Sequence, residues 1–186
     1  KTAIWGRDQA TVEAINSRNE NPRYLPGIAL PDGIVATTNM AEALAGAEAV
    51  LLVTPSRTLR EICTQMRPHL GEGVPVALCA KGIERETGLL PAQVLAEAAP
   101  ACRPAILSGP SFAGEVGQGM PTAVTIAAAD ADFARDMAGA FHDGVFRVYT
   151  TTDVVGVGVG GAVKNVLAIA VGISDGLGYG ANARAL

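Results

Sequence analysis

The segment PVALCAKG, residues 75–82, joins an apolar strand to a lysine. Residues 75–80 are apolar on both faces, which is typical of a strand buried inside a parallel sheet. Lys81 and Gly82 follow at the carboxyl end of this strand, and open parallel sheets bind their ligands there. We therefore expect Lys81 to meet a phosphate or a substrate oxygen. A solvated loop lysine is the alternative, because the position alone does not give it a task.

The same alternation of strand and helix continues on both sides of this segment. A run that is also apolar on both faces, residues 49–53, predicts a second buried strand, and Leu59, Ile62, Cys63 and Met66 mark one face of the helix after it. The predicted strands are residues 2–5, 34–37, 49–53, 75–80, 105–107, 123–127 and 146–150. This rhythm predicts the α/β class with a parallel sheet.

Composition excludes several classes of function. The 186 residues are 49% hydrophobic and 17% charged, with a formal net charge of −4, which argues against nucleic acid as a partner. Cys63, Cys79 and Cys102 are odd in number and lack CxxC spacing, so neither a disulfide framework nor a zinc site is expected. They fit a reducing cytoplasm, as small apolar side chains. No metal cofactor is expected.

The second lysine of interest lies in the C-terminal stretch DVVGVGVGGAVKNVLAIAVGISD, residues 153–175. Lys164 is the only ionisable side chain between Asp153 and Asp175. The residues from 162 to 173 are apolar on nearly every face, which predicts a buried helix. An ammonium group in such a helix needs a partner or a task, and a buried lysine can serve as a base. A lysine that reaches solvent from a core helix is the alternative.

The same run is about as long as a membrane span. Five glycines and the central Lys164 fall inside residues 154–173, and no basic cluster flanks it, so we expect no transmembrane segment. The glycines before Lys164 are interpreted as permitting close approach of the backbone to a ligand.

Two other strand ends carry polar residues. Arg7 and Asp8 follow the first predicted strand. In a dinucleotide-binding fold, an acidic residue at such a strand end suits NAD, and a nearby arginine suits NADP. Because both are present, this position does not choose a cofactor, and an ordinary polar turn is the alternative. After residues 105–107 comes SGPSFA, in which Pro110 or Ser111 is predicted to begin a helix. Its first backbone amides would favour an anion. Residues 21–27 are predicted to break regular structure.

Several short motifs follow one another along nearly the whole chain. They are WGRD from Trp5, NPRYLPG from Asn21, LVTPS from Leu52, CAKGIE from Cys79, LSGPSFAGE from Leu107, MPTAV from Met120, RVYTTTDVVGV from Arg147 and GGAVKNVLAIAVGISDGLGYGANARA from Gly160. Each motif alone is a weak signal, whereas their order is specific. Taken in this order, they resemble the bacterial-type NAD(P)-dependent glycerol-3-phosphate dehydrogenases.

The resemblance implies reversible hydride transfer between dihydroxyacetone phosphate and glycerol 3-phosphate, for glycerophospholipid synthesis in the cytoplasm. It implies that Lys164 is the catalytic proton acceptor and also binds substrate. The cofactor would be NADP or NAD, with NADPH slightly favoured. The implied substrate-binding residues are Lys81, Gly109, Ser111 and Lys164. The implied cofactor-binding residues are Arg7, Tyr24, Lys81 and Ala113.

The resemblance also predicts how the chain divides. Residues 1–153 would form a Rossmann-like NAD(P)-binding domain whose first βα unit, with its GxGxxG loop, is expected before Lys1. Residues 154–186 would begin an α-helical substrate domain, with further phosphate ligands after Leu186. Two alternatives remain, namely a related β-hydroxyacid dehydrogenase and a catalytically inactive nucleotide-binding module. The preferred cofactor, feedback control and the oligomeric state, including a homodimer, stay open.

Overall fold

The computed structural model of the chain describes residues 2–185. The strands, in chain order, are β1 (Thr2–Trp5), β2 (Glu20–Asn21), β3 (Leu25–Ala29), β4 (Ile34–Thr37), β5 (Val50–Leu52), β6 (Pro75–Leu78), β7 (Arg103–Ser108), β8 (Thr122–Ala127) and β9 (Phe146–Thr151). The helices are α1 (Gln9–Arg18), α2 (Met40–Leu44), α3 (Leu59–Met66), α4 (Pro91–Ala98), α5 (Ala113–Gly117), α6 (Ala131–Phe141), α7 (Val154–Gly176) and α8 (Ala181–Ala185).

The main sheet has five strands in the order β5-β6-β7-β8-β9. Strands β5, β6 and β7 pair in parallel, as do β8 and β9, with helices in the connections. Strands β1 and β4 form a separate parallel pair, and β2 with β3 forms an antiparallel hairpin. This architecture confirms the predicted α/β class with a Rossmann-like sheet, and the chain is helical from Val154 onward.

One pairing in the main sheet departs from the expected pattern. Strand β8 runs antiparallel to β7, with Leu107 opposite Ile126. The connection between them contains only the five-residue helix α5. A parallel neighbour needs a crossover of a dozen or more residues, usually built on a full helix that returns the chain to the starting edge of the sheet. The connection is long enough, but helix α5 rises only about 7 Å at 1.5 Å per residue, which is too short to return the chain along the six-residue strand β7, so β8 enters from the opposite end.

The core lies around β6 and its flanking helices. Val76, Ala77 and Leu78 of this strand are 0% exposed, because parallel neighbours cover both edges and helices cover both faces. The predicted apolar face of α3 is also buried, and it packs against Val94 and Leu95 of α4. On the other side of the sheet, α6 packs on Ala105 and Ile126. The C-terminal end of β6 is therefore a rigid platform.

Strand β5 is shorter and less covered than its sequence predicts. Leu51 and Val53 are 49% and 69% exposed, so the prediction of a strand buried on both faces is wrong here. The reason is its place at the edge of the five-stranded sheet, where it has one paired neighbour, β6, among residues 2–185.

Two local predictions in loops need correction. The predicted break of regular structure over residues 21–27 is confirmed for the turn of residues 22–24, but it is wrong for residues 21 and 25–27, which belong to the strands of the β2–β3 hairpin. The hairpin packs against α5, where Leu25 and Ile28 lie close to the Cα of Gly117. Helix α5 begins at Ala113 and not at Pro110 or Ser111. The residue before it, Phe112, has an extended backbone and gives no side-chain cap.

Helix α7 is 23 residues long, and the prediction that it is buried is wrong for the described chain. Its first half packs on β7 and α4, whereas the residues from Lys164 to Ile173 are exposed because no other described element covers them. By length and composition it is the one helix within residues 2–185 that could cross a membrane. The expectation of no transmembrane segment therefore stays a prediction.

Candidate functional site

A cleft of about 200 Å³ lies where α7 crosses the carboxyl ends of β6 and β7. It brings together Lys81 and Lys164, which are far apart in sequence. These two lysines are the charged side chains in its lining. The lining residues are Lys81, Ser108, Gly109, Pro110, Gly160, Gly161 and Lys164. Two ammonium groups with no acidic residue in the lining make a positive potential, which suits an anionic ligand.

Lys81 is positioned by strand β6. The strand ends at Leu78, and after Cys79 and Ala80 the chain turns outward, so the Lys81 side chain is exposed at the sheet's carboxyl end. Its Nζ donates a hydrogen bond to the carbonyl oxygen of Gly109, at 3.1 Å. The contact ties the end of β6 to the loop after β7. A lysine in this position can meet a ligand with little side-chain freedom left to lose.

Lys164 is positioned by the first half of α7. The Asp153 carboxylate caps this helix by accepting a hydrogen bond from the Gly156 amide at 2.8 Å. Gly161 faces the sheet, because a Cβ there would lie 3.4 Å from the Ser108 Oγ and 3.6 Å from the Lys81 Cγ. Lys164 follows three residues later, on the same helix face. The glycines therefore allow α7 to lie close to the strand ends.

The surroundings of Lys164 differ from the predicted ones. Its side chain is exposed instead of buried, because the apolar residues after it have no packing partner within residues 2–185. Its Nζ lies 5.6 Å from the centroid of the Phe112 ring, at the range limit of a cation–π contact. Phe112 is itself 65% exposed, so both side chains border the open side of the cleft.

The loop after β7 contributes backbone more than side chains. Gly109 lines the cleft, and a Cβ there would lie 2.8 Å from the carbonyl oxygen of Ala123, so only glycine fits without a shift. The Ser111 hydroxyl lies 3.5 Å from the carbonyl oxygen of Gly109, which is the outer limit of a hydrogen bond. Ser111 and Ala113 are exposed beside the cleft and not in its lining. Helix α5 has only five residues, which gives no basis for the anion site predicted at its start.

Arg7 and Tyr24 belong to a second group of residues, at the end of β1. Arg7 is exposed, whereas the Asp8 carboxylate caps α1 and pairs with the guanidinium of Arg23 at 3.3 Å. Hydrogen bonds from Thr11, with a smaller contribution from Arg23, lower the pKa of the Asp8 carboxyl. The Arg23 guanidinium also lies 5.2 Å from the Tyr24 ring centroid. Neither Arg7 nor Tyr24 lines the lysine cleft.

A further polar group lies at the end of β5, a strand end where the sequence also predicts ligand contacts. Thr54 follows β5, and its Oγ1 is buried with no hydrogen-bond partner among residues 2–185. A buried hydroxyl without a partner costs free energy, which points to a missing ligand or neighbour. The motif LVTPS contained this residue, but no spacing rule marked its hydroxyl.

The rarity of lysine is a further signal in the sequence. Lysine is rare in this chain, which has Lys1, Lys81 and Lys164 beside eleven arginines. Two of the three lysines line one cleft. In a chain that otherwise uses arginine, lysine therefore lies where a compact ammonium group differs chemically from a guanidinium.

No group of three His, Cys, Asp or Glu side chains is arranged to hold a metal ion within residues 2–185. The cysteines of this part of the chain, Cys63, Cys79 and Cys102, are free thiols. Burial raises the pKa of Cys63 and of Cys79 to about 11. These thiols are therefore protonated at neutral pH and unsuited to act as nucleophiles.

Two parts of the chain are similar to known family models. Residues 1–134 match the family model for the NAD-dependent glycerol-3-phosphate dehydrogenase N-terminus, and residues 153–186 match that for the C-terminus. A glycerol-3-phosphate dehydrogenase (NAD(P)+) of Rhodospirillum rubrum is 48% identical over 185 residues, which are 100% of this chain and 53% of the relative. The chain thus spans about half the length of the curated relatives it matches.

Solved structures agree with this relationship. The crystal structure of glycerol-3-phosphate dehydrogenase from Coxiella burnetii superposes with a TM-score of 0.88 at 37% identity, over 100% of this chain and 57% of that one. The yeast enzyme, from Saccharomyces cerevisiae, gives a TM-score of 0.86 at 30% identity, over 98% of this chain and 56% of that one. The arrangement of β6, β7 and α7 that forms the cleft therefore lies within a fold that these proteins share.

Proposed function

The chain belongs to the NAD-dependent glycerol-3-phosphate dehydrogenase family, and from that premise we propose that its protein interconverts dihydroxyacetone phosphate and glycerol 3-phosphate. The observation that carries the proposal is the cleft in which Lys81 and Lys164 face one space without an acidic neighbour in the lining. A phosphorylated three-carbon substrate is a small anion, so it complements this charge. Its product would serve glycerophospholipid synthesis.

Lys164 would act on the reacting oxygen. Reduction of a ketone leaves negative charge on that oxygen, and an ammonium group beside it stabilises the transition state. The same group donates the proton that completes the alcohol, and in the reverse direction its neutral form accepts a proton. The exposed position of Lys164 at the mouth of the cleft supports this role, because a proton can exchange with solvent there between turnovers.

Lys81, Gly109 and Ser111 would bind and orient the substrate. The hydrogen bond from Lys81 to the Gly109 carbonyl keeps one ammonium hydrogen occupied and leaves the others for the ligand. Gly109 allows the substrate to approach the backbone closely. Ser111, just outside the lining, can donate its hydroxyl to an oxygen of the substrate after a rotation of the side chain.

The strand ends fit a nicotinamide dinucleotide. Thr54 offers a buried hydroxyl that lacks a hydrogen-bond partner within residues 2–185. A ligand that forms a hydrogen bond with such a group removes the free-energy cost of leaving it unpaired. We assign Arg7 and Tyr24 to the adenosine end and Lys81 and Ala113 to the nicotinamide side. When bound, the nicotinamide supplies or accepts the hydride.

NADPH would be slightly favoured over NADH. The Asp8 carboxylate already accepts hydrogen bonds from Thr11 and pairs with Arg23. It therefore has little capacity left for a ribose hydroxyl of NAD, whereas the exposed Arg7 can meet the additional phosphate of NADP.

The remaining properties follow the same premise. We place the protein in the cytoplasm, in keeping with three free cysteines. A division into a dinucleotide-binding part, residues 1–153, and the start of a substrate domain, residues 154–186, agrees with the cap at Asp153. Small-molecule substrate and cofactor are the only partners proposed, and a homodimer stays a prediction.

The test is an assay of the protein expressed from its complete coding sequence. Dihydroxyacetone phosphate should cause oxidation of NADPH, which is measured as a decrease in the absorbance of NADPH. The kcat/KM with NADPH should be higher than the kcat/KM with NADH. Turnover of a β-hydroxy acid in place of the phosphate would contradict the proposal and favour the related β-hydroxyacid dehydrogenases. Cofactor binding with no turnover of either substrate would indicate an inactive nucleotide-binding module.

A further inference from the structure

Lys81 stands in a long segment without regular structure. Residues 79–90, between β6 and α4, contain no helix or strand. A loop of this length in a compact domain is usually functional, and it needs anchors to hold one conformation. Lys81 can therefore keep one position only if contacts elsewhere fix this loop.

The principal anchor is an ion-pair cluster on the outer side of the loop. Arg60 of α3 binds Glu84 of the loop through two parallel hydrogen bonds, Nε to Oε1 at 2.9 Å and Nη2 to Oε2 at 2.7 Å. The same Nη2 reaches the Glu97 carboxylate of α4 at 2.8 Å. A two-point pairing of arginine with carboxylate fixes orientation as well as distance. Arg60 thus ties the loop to the helices on either side of it.

Glu84 organises the loop around this anchor. The Thr87 hydroxyl donates to its carboxylate at 2.5 Å. Its backbone carbonyl accepts from the Gly88 amide at 2.9 Å, and its own amide donates to the Leu89 carbonyl, also at 2.9 Å. The Glu84 side chain is only 16% exposed, in contrast to the exposed residues 85–88 that follow it. The turn of residues 84–89 is therefore held by the Glu84 carboxylate together with these backbone hydrogen bonds.

A second anchor lies next to Lys81. Gly82 has a φ of +141°, which a side chain rarely adopts, and a Cβ there would lie 2.8 Å from the Ser56 Oγ. The backbone therefore presses on Ser56 directly after the lysine. With Glu84 fixed two residues further on, the chain has little freedom to move Lys81 away from the Gly109 carbonyl.

We propose that Arg60 and Glu84 are positioning residues for Lys81: their two-point ion pair holds the loop of residues 79–90 so that the Lys81 ammonium stays in the lysine cleft. The inference rests on the proposed function, because it names what keeps that site assembled. Neither residue lines the cleft, so neither touches the substrate.

The helices themselves do not need this cluster. Helices α3 and α4 pack through Leu59, Ile62 and Cys63 on one side and Val94 and Leu95 on the other, all buried. Removal of the ion pair would leave this apolar contact in place. The element that loses its support is the middle of the loop, residues 81–88, which is held mainly by polar contacts, whereas Ala80 and Leu89 near its two ends pack in the apolar core.

The test is a double-mutant cycle in the protein expressed from its complete coding sequence. Glu84→Gln keeps the size of the side chain and removes its charge. We expect it to lower kcat/KM for dihydroxyacetone phosphate by about ten- to a hundredfold, the scale of a small misplacement of a catalytic group. In a Lys81→Ala background the same change should cost less than about twofold, because the loop then positions nothing. Arg60→Lys, which keeps the charge but loses the fork, should give an intermediate loss.

Two controls separate positioning from stability. Glu86→Gln removes a carboxylate from the same loop, where Glu86 is exposed and has no ion pair within residues 2–185, and it should change kcat/KM by less than about twofold. Ile62→Val loosens the core beneath Arg60 and should lower Tm without a matching loss of turnover. If Ile62→Val lowers kcat/KM as much as Glu84→Gln at equal Tm, or if the cycle is additive, the proposal is overturned.

A readout that does not depend on activity tests the anchor directly. Hydrogen–deuterium exchange of the amides in residues 82–90 should be about tenfold faster in Glu84→Gln than in the unmodified protein or in Glu86→Gln. Unchanged exchange overturns the proposal even if the enzyme is active. Absence of any turnover by the unmodified protein would overturn the proposed function instead, and the exchange result would still decide whether Glu84 anchors the loop.

Discussion

Strand β6 and helix α7 each bring one lysine to the same cleft, but their support differs. Residues 76–78 of β6 are 0% exposed, with paired strands on both edges and helices on both faces. In α7 only Gly158 is buried among the described residues, although this helix is also strongly apolar. Apolar composition therefore gives burial only where other elements supply the covering surface.

The difference fits the different tasks that we propose for the two lysines. Lys81 is held by a rigid strand, a hydrogen bond to Gly109 and the ion pair of Arg60 with Glu84. Lys164 stands where the packed half of α7 meets the exposed half, with an aromatic ring nearby and no hydrogen bond within residues 2–185. A firmly held ammonium suits the binding of an anion, and the solvent-exposed position of Lys164 suits the exchange of its proton with water. The following changes test this contrast.

Lys164→Ala should have the largest effect. Loss of an acid–base group typically lowers turnover by about 10²- to 10⁴-fold. Cofactor affinity, measured by fluorescence titration, should stay within about twofold, because Lys164 is not assigned to the cofactor. Arg135→Ala on the exposed surface of α6 is the matched loss of a cation and should leave turnover unchanged. Near-normal turnover in Lys164→Ala would make the assigned role untenable.

Leu78→Ala tests the rigid side of the contrast. Leu78 is fully buried in β6, so its truncation leaves a cavity and should lower the free energy of unfolding by about 2–5 kcal/mol. Leu78→Met, which conserves volume, should cost less than about 1.5 kcal/mol in the same urea titration. Equal losses in the two variants would mean that the strand is less tightly packed than described.

Gly158→Val tests the packed half of α7. A Cβ at Gly158 would lie 3.3 Å from the Cδ1 of Ile106 and 3.6 Å from that of Leu90, so the larger side chain would push the helix off the sheet. We expect a loss of about 1–3 kcal/mol in the free energy of unfolding. Gly139→Val in α6 is the control, because an added Cβ at Gly139 would meet no neighbouring atom within 4 Å, and it should be close to neutral. A neutral result at Gly158 would contradict the docking of α7.

The smallest expected effect concerns acid stability. The hydrogen bonds from Arg60 and then Thr87 lower the pKa of Glu84 to about 2, from an ordinary value of 4.5. A carboxylate whose pKa falls on folding stabilises the native state above its unfolded pKa, and this contribution is lost as pH falls toward the folded pKa. The Tm difference between the unmodified protein and Glu84→Gln should therefore be constant above about pH 5 and shrink below it. A difference that grows on acidification would contradict the ion pair.

Much of the fold could be predicted, because local periodicity reports burial where packing is complete. The spacing of Leu59, Ile62, Cys63 and Met66 correctly gave the buried face of α3. The strand end before Lys81 correctly placed that lysine, and the cleft unites it with Gly109 and Lys164. These predictions depended on neighbours that every parallel sheet supplies.

The rest depended on contacts between distant residues. The antiparallel entry of β8 follows from the brevity of α5, which the sequence SGPSFAGE did not reveal. The exposure of Leu51 follows from the place of β5 at an edge. Arg60 and Glu84 are 24 residues apart and meet only in the folded chain. No local sequence pattern predicts such a pair.

The most direct test of the shared cleft is a footprint of the two amines. Lys81 and Lys164 in the protein expressed from its complete coding sequence would be labelled with an amine-reactive reagent, with increasing glycerol 3-phosphate, and quantified by mass spectrometry. Both lysines should be protected with the same half-saturation concentration. Protection of only one of them, or of both at clearly different concentrations, would contradict a single site built from β6 and α7.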